Sequence, residues 1–319
     1  MANHNRHFTI RGKENKDTGL NTTTAGSGRF ANKDGTANIR KEGMGFFNRL
    51  SIYQRMLTIP LWRFIMVILI FYFAINIVFA GIYLAIGMDQ LDGLKGATEW
   101  MKIKQVFYFS TQTFTTVGYG GISPKGDAAN IVASIEALIG FLSFAIATGL
   151  IYGRFARPRA FLLFSENAVV APYHGHTGLM FRLASYKDGH TLTDVTISVT
   201  VGLKVHENDK DTYKYFNLDL ERSRVDSLPM NWTVVHPIDD KSPFLGLTEE
   251  DFKTADVELY VLVRGFDDLF SNIVQQRTSY TYGEVLHGRK FVPMYRESKD
   301  GMTTILELQK LNDHIKAPV

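Results

Sequence analysis

Thr116-Val117-Gly118-Tyr119-Gly120 is too polar and too glycine-rich for a helix or a strand, yet it lies between two long apolar runs. Backbone without regular hydrogen bonds is tolerated at membrane depth only where protein buries it or where it lines an aqueous path. Gly118 and Gly120 can take backbone angles closed to other residues, which lets successive carbonyls point the same way. The flanks argue against a chance turn. Upstream, residues 98–115 hold a short aromatic segment, too short for a bilayer that needs about 20 apolar residues. It reads as a re-entrant helix whose C-terminal end, the negative end of its dipole, faces the path. Downstream, Gly121-Ile122-Ser123-Pro124 carries turn chemistry. The order is span, short helix, loop, span.

The loop is similar to the filter of potassium channels, where rings of backbone carbonyls replace the hydration shell of the ion. That resemblance implies potassium ions held at Thr116, Val117, Gly118 and Tyr119, with Gly120 completing the turn and no organic cofactor. Gln112 and Thr115, at the end of the short helix, are candidate supports. Glu136 is a third, because an ionisable residue inside a span is functional or hydrogen-bonded by default. Hydrogen bonding behind the filter is at least as good a reading of it as direct ion contact.

The first span is Phe64 to Ile86, entered through Pro60 and anchored by Trp62 and Arg63. Before it, residues 46–59 place Phe46, Phe47, Leu50, Tyr53, Met56 and Leu57 at helical spacing, an amphipathic helix for the membrane surface. The second span covers residues 129–152, with Gly140 as a close-packing or hinge point. Phe144, Thr148 and Tyr152 share one face, so a pore-lining face would set Tyr152 as a ring at the inner mouth. Arg154, Arg157 and Arg159 follow, and residues 1–45 are basic. By the positive-inside rule both termini are cytoplasmic and the loop enters from outside.

The 319 residues leave room for a second domain, and the absence of cysteine excludes disulfides and thiolate metal sites. A net charge of +3 argues for no nucleic-acid partner. Residues 1–45 are predicted to be disordered for want of apolar residues. Residues 46–59 form the surface helix, 60–153 the membrane domain and 154–319 a linker and second domain. In that last part Val195, Ile197, Val199, Val201, Leu203 and Val205 alternate with polar residues, as do Val257, Leu259, Val261 and Val263. Shorter strands are predicted at residues 179–183, 213–220, 232–235, 277–282 and 291–295. Many short strands with no long helix predict a β-sandwich.

Four further motifs carry a family resemblance. Leu163-Phe164-Ser165-Glu166-Asn167-Ala168-Val169 resembles the first cytoplasmic strand of inward-rectifier potassium channels, and Arg157-Pro158-Arg159 resembles their lipid-binding linker. His236-Pro237-Ile238-Asp239-Asp240-Lys241-Ser242-Pro243 is similar to their His-x-Ile-Asp-x-x-Ser-Pro signature. Gln275-Gln276-Arg277-Thr278-Ser279-Tyr280 is similar to the stretch after their cytoplasmic constriction. The resemblance spans residues 46–310 and is nearest the prokaryotic branch.

It implies a membrane α plus all-β protein: a two-span potassium-channel pore with an interfacial slide helix, followed by a cytoplasmic immunoglobulin-like β-sandwich. It further implies a homotetramer in the prokaryotic inner membrane, gated at Tyr152 and modulated by anionic lipids at Trp62, Arg63, Arg154, Arg157 and Arg159. Ser271, Asn272 and Ile273 match the cytoplasmic constriction, with Ser271 in place of the loop glycine. Gln112 replaces a pore-helix glutamate, Leu61 the first arginine of an Arg-Trp-Arg lipid motif, and the basic run stops at Ala160. Phe144 stands where strong rectifiers carry an acid, so block by polyamine or magnesium is expected to be weak. The rival reading is a membrane-anchored β-sandwich sensor, which leaves the loop unexplained. An enzyme is weaker still: His174 and His176 lack further metal ligands nearby, and no nucleophile or phosphate loop stands out.

Overall fold

A computed structural model describes residues 12–19, 29–43, 45, 51–207 and 210–317. The chain forms two compact units, residues 42–157 and residues 1–41 with 158–319.

In the first unit, α1 (Ile52–Thr58) is N-capped by Ser51, whose hydroxyl accepts from the Gln54 N–H. It is the described part of the predicted surface helix; residues 46–50 lie outside the described residues. Pro60, which has no N–H to give, ends α1 and opens α2 (Leu61–Ile86). At about 1.5 Å per residue, its 26 residues exceed the roughly 30 Å of a bilayer core. Strand β1 (Leu91–Asp92) pairs with β2 (Ser123–Pro124) across the mouth of the re-entrant segment. Between them lies α3 (Glu99–Phe114), capped by the Thr98 hydroxyl. The second span, α4 (Asp127–Phe155), is one unbroken 29-residue helix. Phe79, Tyr83, Val106, Phe109 and Ala129 are buried where α2, α3 and α4 meet, whereas Ile65, Ile70, Ile77 and Val78 stay exposed, as lipid-facing residues must.

The second unit is a sandwich of two five-stranded sheets. One holds β6 (Leu192–Glu207), β7 (Lys210–Asn217), β8 (Arg224–Leu228), β10 (Glu258–Asp267) and β11 (Asn272–Thr281). The other holds β3 (Leu162–Phe164), β4 (Ala168–Tyr173), β5 (His176–Ser185), β9 (Asn231–Ile238) and β12 (Val285–His287). All the pairings within these two sheets are antiparallel except β4 with β12. Val195, Ile197, Val199, Val201 and Leu203 of β6 and Leu259, Val261 and Val263 of β10 point inward against Leu179, Phe181, Leu183 and Val234 of the facing sheet. Each buried Val or Leu stabilises by about 1.5–3 kcal/mol. Helix α5 (Glu249–Thr254) carries a capping box between Thr248 and Asp251. The strand predicted at 291–295 is split by Pro293 into β13 (Arg289–Phe291) and β14 (Tyr295–Glu297). These pair with β16 (His314–Lys316) and β15 (Thr304–Leu306).

Composition predicts disorder for residues 1–45, but the described part of that stretch is tied down by polar contacts. Ala31 bridges to Ala37, closing a small loop. The Arg29 guanidinium forks onto Glu284 at 3.0 and 2.8 Å, and the Phe30 and Ala31 N–H groups donate to the buried Glu258. Burial pushes the Glu284 carboxyl up, but Arg29, the Thr281 N–H and Lys33 outweigh it and hold it below its ordinary value. Order here comes from charge-assisted bonds, which an apolar count does not register.

The His-x-Ile-Asp-x-x-Ser-Pro signature is a buried hydrogen-bond relay. His236 Nδ1 lies 2.6 Å from the Asp219 carbonyl, which can only accept, so this nitrogen carries the proton. Nε2 then accepts from the Ser242 hydroxyl at 2.8 Å, and Ser242 Oγ accepts from the Phe244 N–H. Burial pushes the imidazole below its ordinary value, against the Asp219 bond that favours the charged form. The unfolded chain titrates His236 near about 6.5, above the folded value, so between the two it binds more protons and stability falls as the pH falls. The denaturant midpoint of the full-length protein is expected to drop on acidification through that window, with a flatter pH dependence in His236→Gln.

Candidate ion pathway

The path begins at the C-terminal end of α3. The Thr115 N–H donates to Thr111, that of Thr116 to Thr113 at 3.0 Å, and that of Val117 to the Gln112 carbonyl at 2.9 Å. Gly118 N–H reaches the same oxygen at 3.4 Å. Gln112 thus works through its main chain, and the Thr115 hydroxyl is spent on Thr111. These bonds satisfy the loop's donors on the helix side. Thr116, Gly118 and Gly120 have φ of 58°, 55° and 78°, while Val117 and Tyr119 between them do not enter the left-handed region. Alternating the backbone hand in this way turns successive carbonyls to one side. Thr116 is the costly member, since a residue with a Cβ loses about 1–2 kcal/mol in that region.

Glu136 sits behind the loop, fully buried. Its carboxylate accepts from Tyr83 at 2.7 Å and from Ser110 at 2.5 Å, while Asn76 lies 3.2 Å from Ser110 and donates to the Tyr72 carbonyl. One acid therefore ties α4 to α2 and α3, and the scaffold reading takes precedence over ion contact. Gly140 is buried where α4 crosses the end of α3; a Cβ there would lie 1.9 Å from the Phe114 oxygen. The structure shows close packing at this glycine. Below it Phe144 and Tyr152 are 74% exposed on one face, with Thr148 between them donating to the Phe144 carbonyl.

The basic residues divide. Trp62 is exposed with the Arg63 guanidinium 5.1 Å from its ring, and Arg157 and Arg159 are exposed. Arg154, grouped with them by sequence, turns inward to main-chain carbonyls of α1 and its cap. In the sandwich, Ser271 holds φ 47° in the β10–β11 turn, as a glycine position would, and Asn272 and Ile273 follow it exposed. Asp267, buried, accepts from the Leu269 and Phe270 N–H groups and faces His190 Nε2 at 3.2 Å. His174 and Gly175, both at positive φ, make the β4–β5 turn. Tyr83, Ser110, His190 and Asp267 escape the sequence reading. Only Ser110 gives a signal, as a polar side chain within an aromatic run.

Two helices long and apolar enough to span, a re-entrant helix with its loop, and a β-sandwich define a two-span channel subunit. Residues 65–157 match the family described as Ion channel, and residues 162–318 that described as Inward rectifier potassium channel C-terminal domain. The chain is 34% identical to the inward rectifier potassium channel Kirbac3.1 of Paramagnetospirillum magnetotacticum, over 89% of this chain and 95% of that one. It is 28% identical to ATP-sensitive inward rectifier potassium channel 12 of Homo sapiens, over 85% of this chain and 67% of the other. Among solved structures, Spo0M of Bacillus subtilis aligns over 41% of this chain and 50% of its own at TM-score 0.23 and 13% identity, too slight a likeness to bear on the fold. The chain belongs to the inward rectifier potassium channel family, on its prokaryotic side, and its relatives are ion channels, not enzymes.

Two glycines separate backbone strain from steric clash. Within its own chain nothing lies near Gly118, so there Gly118→Ala adds the left-handed penalty of about 1–2 kcal/mol and no clash. It is expected to lose potassium-over-sodium selectivity with assembly intact. Gly140→Ala drives a methyl into the Phe114 carbonyl and is expected to lose assembly or thermal stability as well. Ion flux and particle mass of the two variants check the contrast.

Proposed function

We propose that four copies of this chain close a ring around the Thr116–Gly120 loop and conduct potassium selectively across the prokaryotic inner membrane. The observation that carries this reading is the alternating backbone hand of Thr116, Gly118 and Gly120. One chain supplies one wall of carbonyls, and fourfold symmetry gives each ion two adjacent rings of oxygens. In the single chain Val117 and Tyr119 are 51% and 81% exposed, and an apolar groove of about 710 Å³ reaches Thr115 and Thr116. Val67, Phe71, Phe114, Phe141, Phe144 and Ile146 line it. A neighbouring copy in a closed ring would cover both.

The inner gate of this channel is the ring of Tyr152, reached from the filter past Phe144 and Thr148. Gly140, wedged against Phe114, is the pivot below which α4 swings. Anionic lipid binds the exposed Arg157 and Arg159, with Trp62 and Arg63 at the same membrane face, and biases the gate. Arg154, Arg157 and Arg159 after the second span, with the basic N-terminal stretch, support cytoplasmic termini. The cytoplasmic constriction is Ser271, at the end of the β10–β11 turn, with Asn272 and Ile273 at the start of β11.

Rectification in this reading is weak. Holding a polyamine or magnesium ion in a low-dielectric cavity calls for fixed negative charge, because a neutral ring leaves its desolvation uncompensated. The face Phe144-Thr148-Tyr152 carries none. Aromatic faces attract cations by only about 0.5–2 kcal/mol each.

Purified protein in liposomes tests the reading: barium-blocked, potassium-selective flux and a particle mass of four chains are expected. A dimer, or no flux, would overturn it. With spermine on the cytoplasmic side, block of the unaltered channel is expected to be shallow in voltage. Phe144→Asp should deepen it markedly, and steep micromolar block without the substitution would count against the neutral cavity.

A further inference from the structure

Three elements meet at one side chain. Arg154, two residues beyond Tyr152 on α4, donates from Nη1 to the Met56 carbonyl and from Nη2 to the Ile59 carbonyl at 2.6 Å. Ile59 is the C-cap of α1, and Met56 lies in its last turn. Its guanidinium carbon lies 4.8 Å from the ring of Phe64, a buried residue in the first turn of α2. The arginine therefore occupies the C-terminal end of α1, where unpaired carbonyls and the helix dipole favour a cation. Next to it, Gly153 lets α1 approach α4 closely: a Cβ there would sit 3.3 Å from Leu57 and 3.6 Å from the Tyr53 hydroxyl.

These contacts do different chemistry from that of Arg157 and Arg159. A headgroup ligand needs free donors at the membrane face. Two of the five donors of Arg154, one on each terminal nitrogen, go to main chain, and the planar face lies on an aromatic ring. The polar face of α1 has no other tie to α4 of this kind among the described residues. If α1 shifts along the membrane surface, the end of α4 must follow it or break two charge-assisted bonds.

We infer that Arg154 is a positioning residue, a clasp that fastens the surface helix α1 to the gate end of α4 and carries lipid-driven movement of one to the other. Lysine cannot reproduce it, since one ammonium cannot present a flat fork to two carbonyls while lying on a ring. The inference rests on the proposed gate at Tyr152 and on the proposed lipid response; the clasp itself is measured independently of both.

The experiment uses the full-length protein in phosphatidylcholine liposomes with rising phosphatidylglycerol. It reads potassium flux, the number of phosphatidylglycerol molecules retained by the particle, and hydrogen exchange of α1. Arg154→Gln is expected to keep its bound lipid, lose the dependence of flux on phosphatidylglycerol, and exchange the last turn of α1 about tenfold faster. Arg154→Lys should fall between it and the unaltered protein. Replacing Arg157 and Arg159 with Gln should do the reverse, losing bound lipid while α1 exchanges as before. Loss of bound phosphatidylglycerol in Arg154→Gln would make the residue a headgroup ligand and overturn the inference. So would a full lipid response despite faster exchange, unchanged exchange, or an unaltered channel that ignores phosphatidylglycerol. A chain that passes no potassium at all sinks the channel reading, and the exchange of α1 then still decides the clasp. Where Arg154→Gln fails to assemble, Arg154→Lys supplies the same three readouts.

Discussion

The membrane unit depends on one constraint: a stretch of main chain at bilayer depth must leave its carbonyls unpaired while leaving no N–H unpaired. An unsatisfied group there costs several kcal/mol. At Thr116, Val117 and Gly118 the chain meets this by asymmetry. The end of α3 offers carbonyls that the helix itself cannot use, and the N–H groups of Thr116, Val117 and Gly118 take them. Donors on the helix side are thereby consumed, and the oxygens are left for an ion. The same helix end brings partial negative charge toward the path.

Holding that helix end in place is the work of the layer behind it. Glu136 is fully buried, and among the described residues no basic side chain pairs with it; its two oxygens accept from two hydroxyls. Removing either would leave a buried polar group without its partner, at about 1–3 kcal/mol each. Gly140 contributes by absence, since any side chain there would push the Phe114 carbonyl out of position. Buried acid, hydroxyl and missing methyl act on the same helix α3, which is why a five-residue loop can keep one shape.

The architecture was legible where the signal is periodic or glycine-rich. The two spans, the re-entrant helix and the alternating strands of β6 and β10 follow from patterns that any single element must satisfy to bury its face. What depends on a partner far along the chain was not legible. Arg29 finds Glu284, and Asp267 finds His190, across separations no local pattern encodes. Composition alone therefore predicts disorder around Arg29. Arg154 shows the same limit from the other side: beside Arg157 and Arg159 in sequence, it is set apart by where the helix turn points it.

Of the six described non-glycine residues with positive φ, two, Thr116 and Ser271, lie at the two points proposed to narrow the path. Such strain persists only where surrounding bonds over-determine it, and each site shows them. Thr116 is held by its N–H to Thr113 and by the neighbouring bonds to Gln112. Ser271 follows a turn that Asp267 grips through two main-chain N–H groups, with His190 closing the other carboxylate oxygen. The grips differ in kind. At Thr116 the bonds come from a helix end fixed by buried packing. At Ser271 they gather on one carboxylate, beside the last rung of the β10–β11 ladder, with a histidine facing it from a loop. The same left-handed strain is thus carried by two different sources of bonds, a helix end at Thr116 and a buried carboxylate at Ser271.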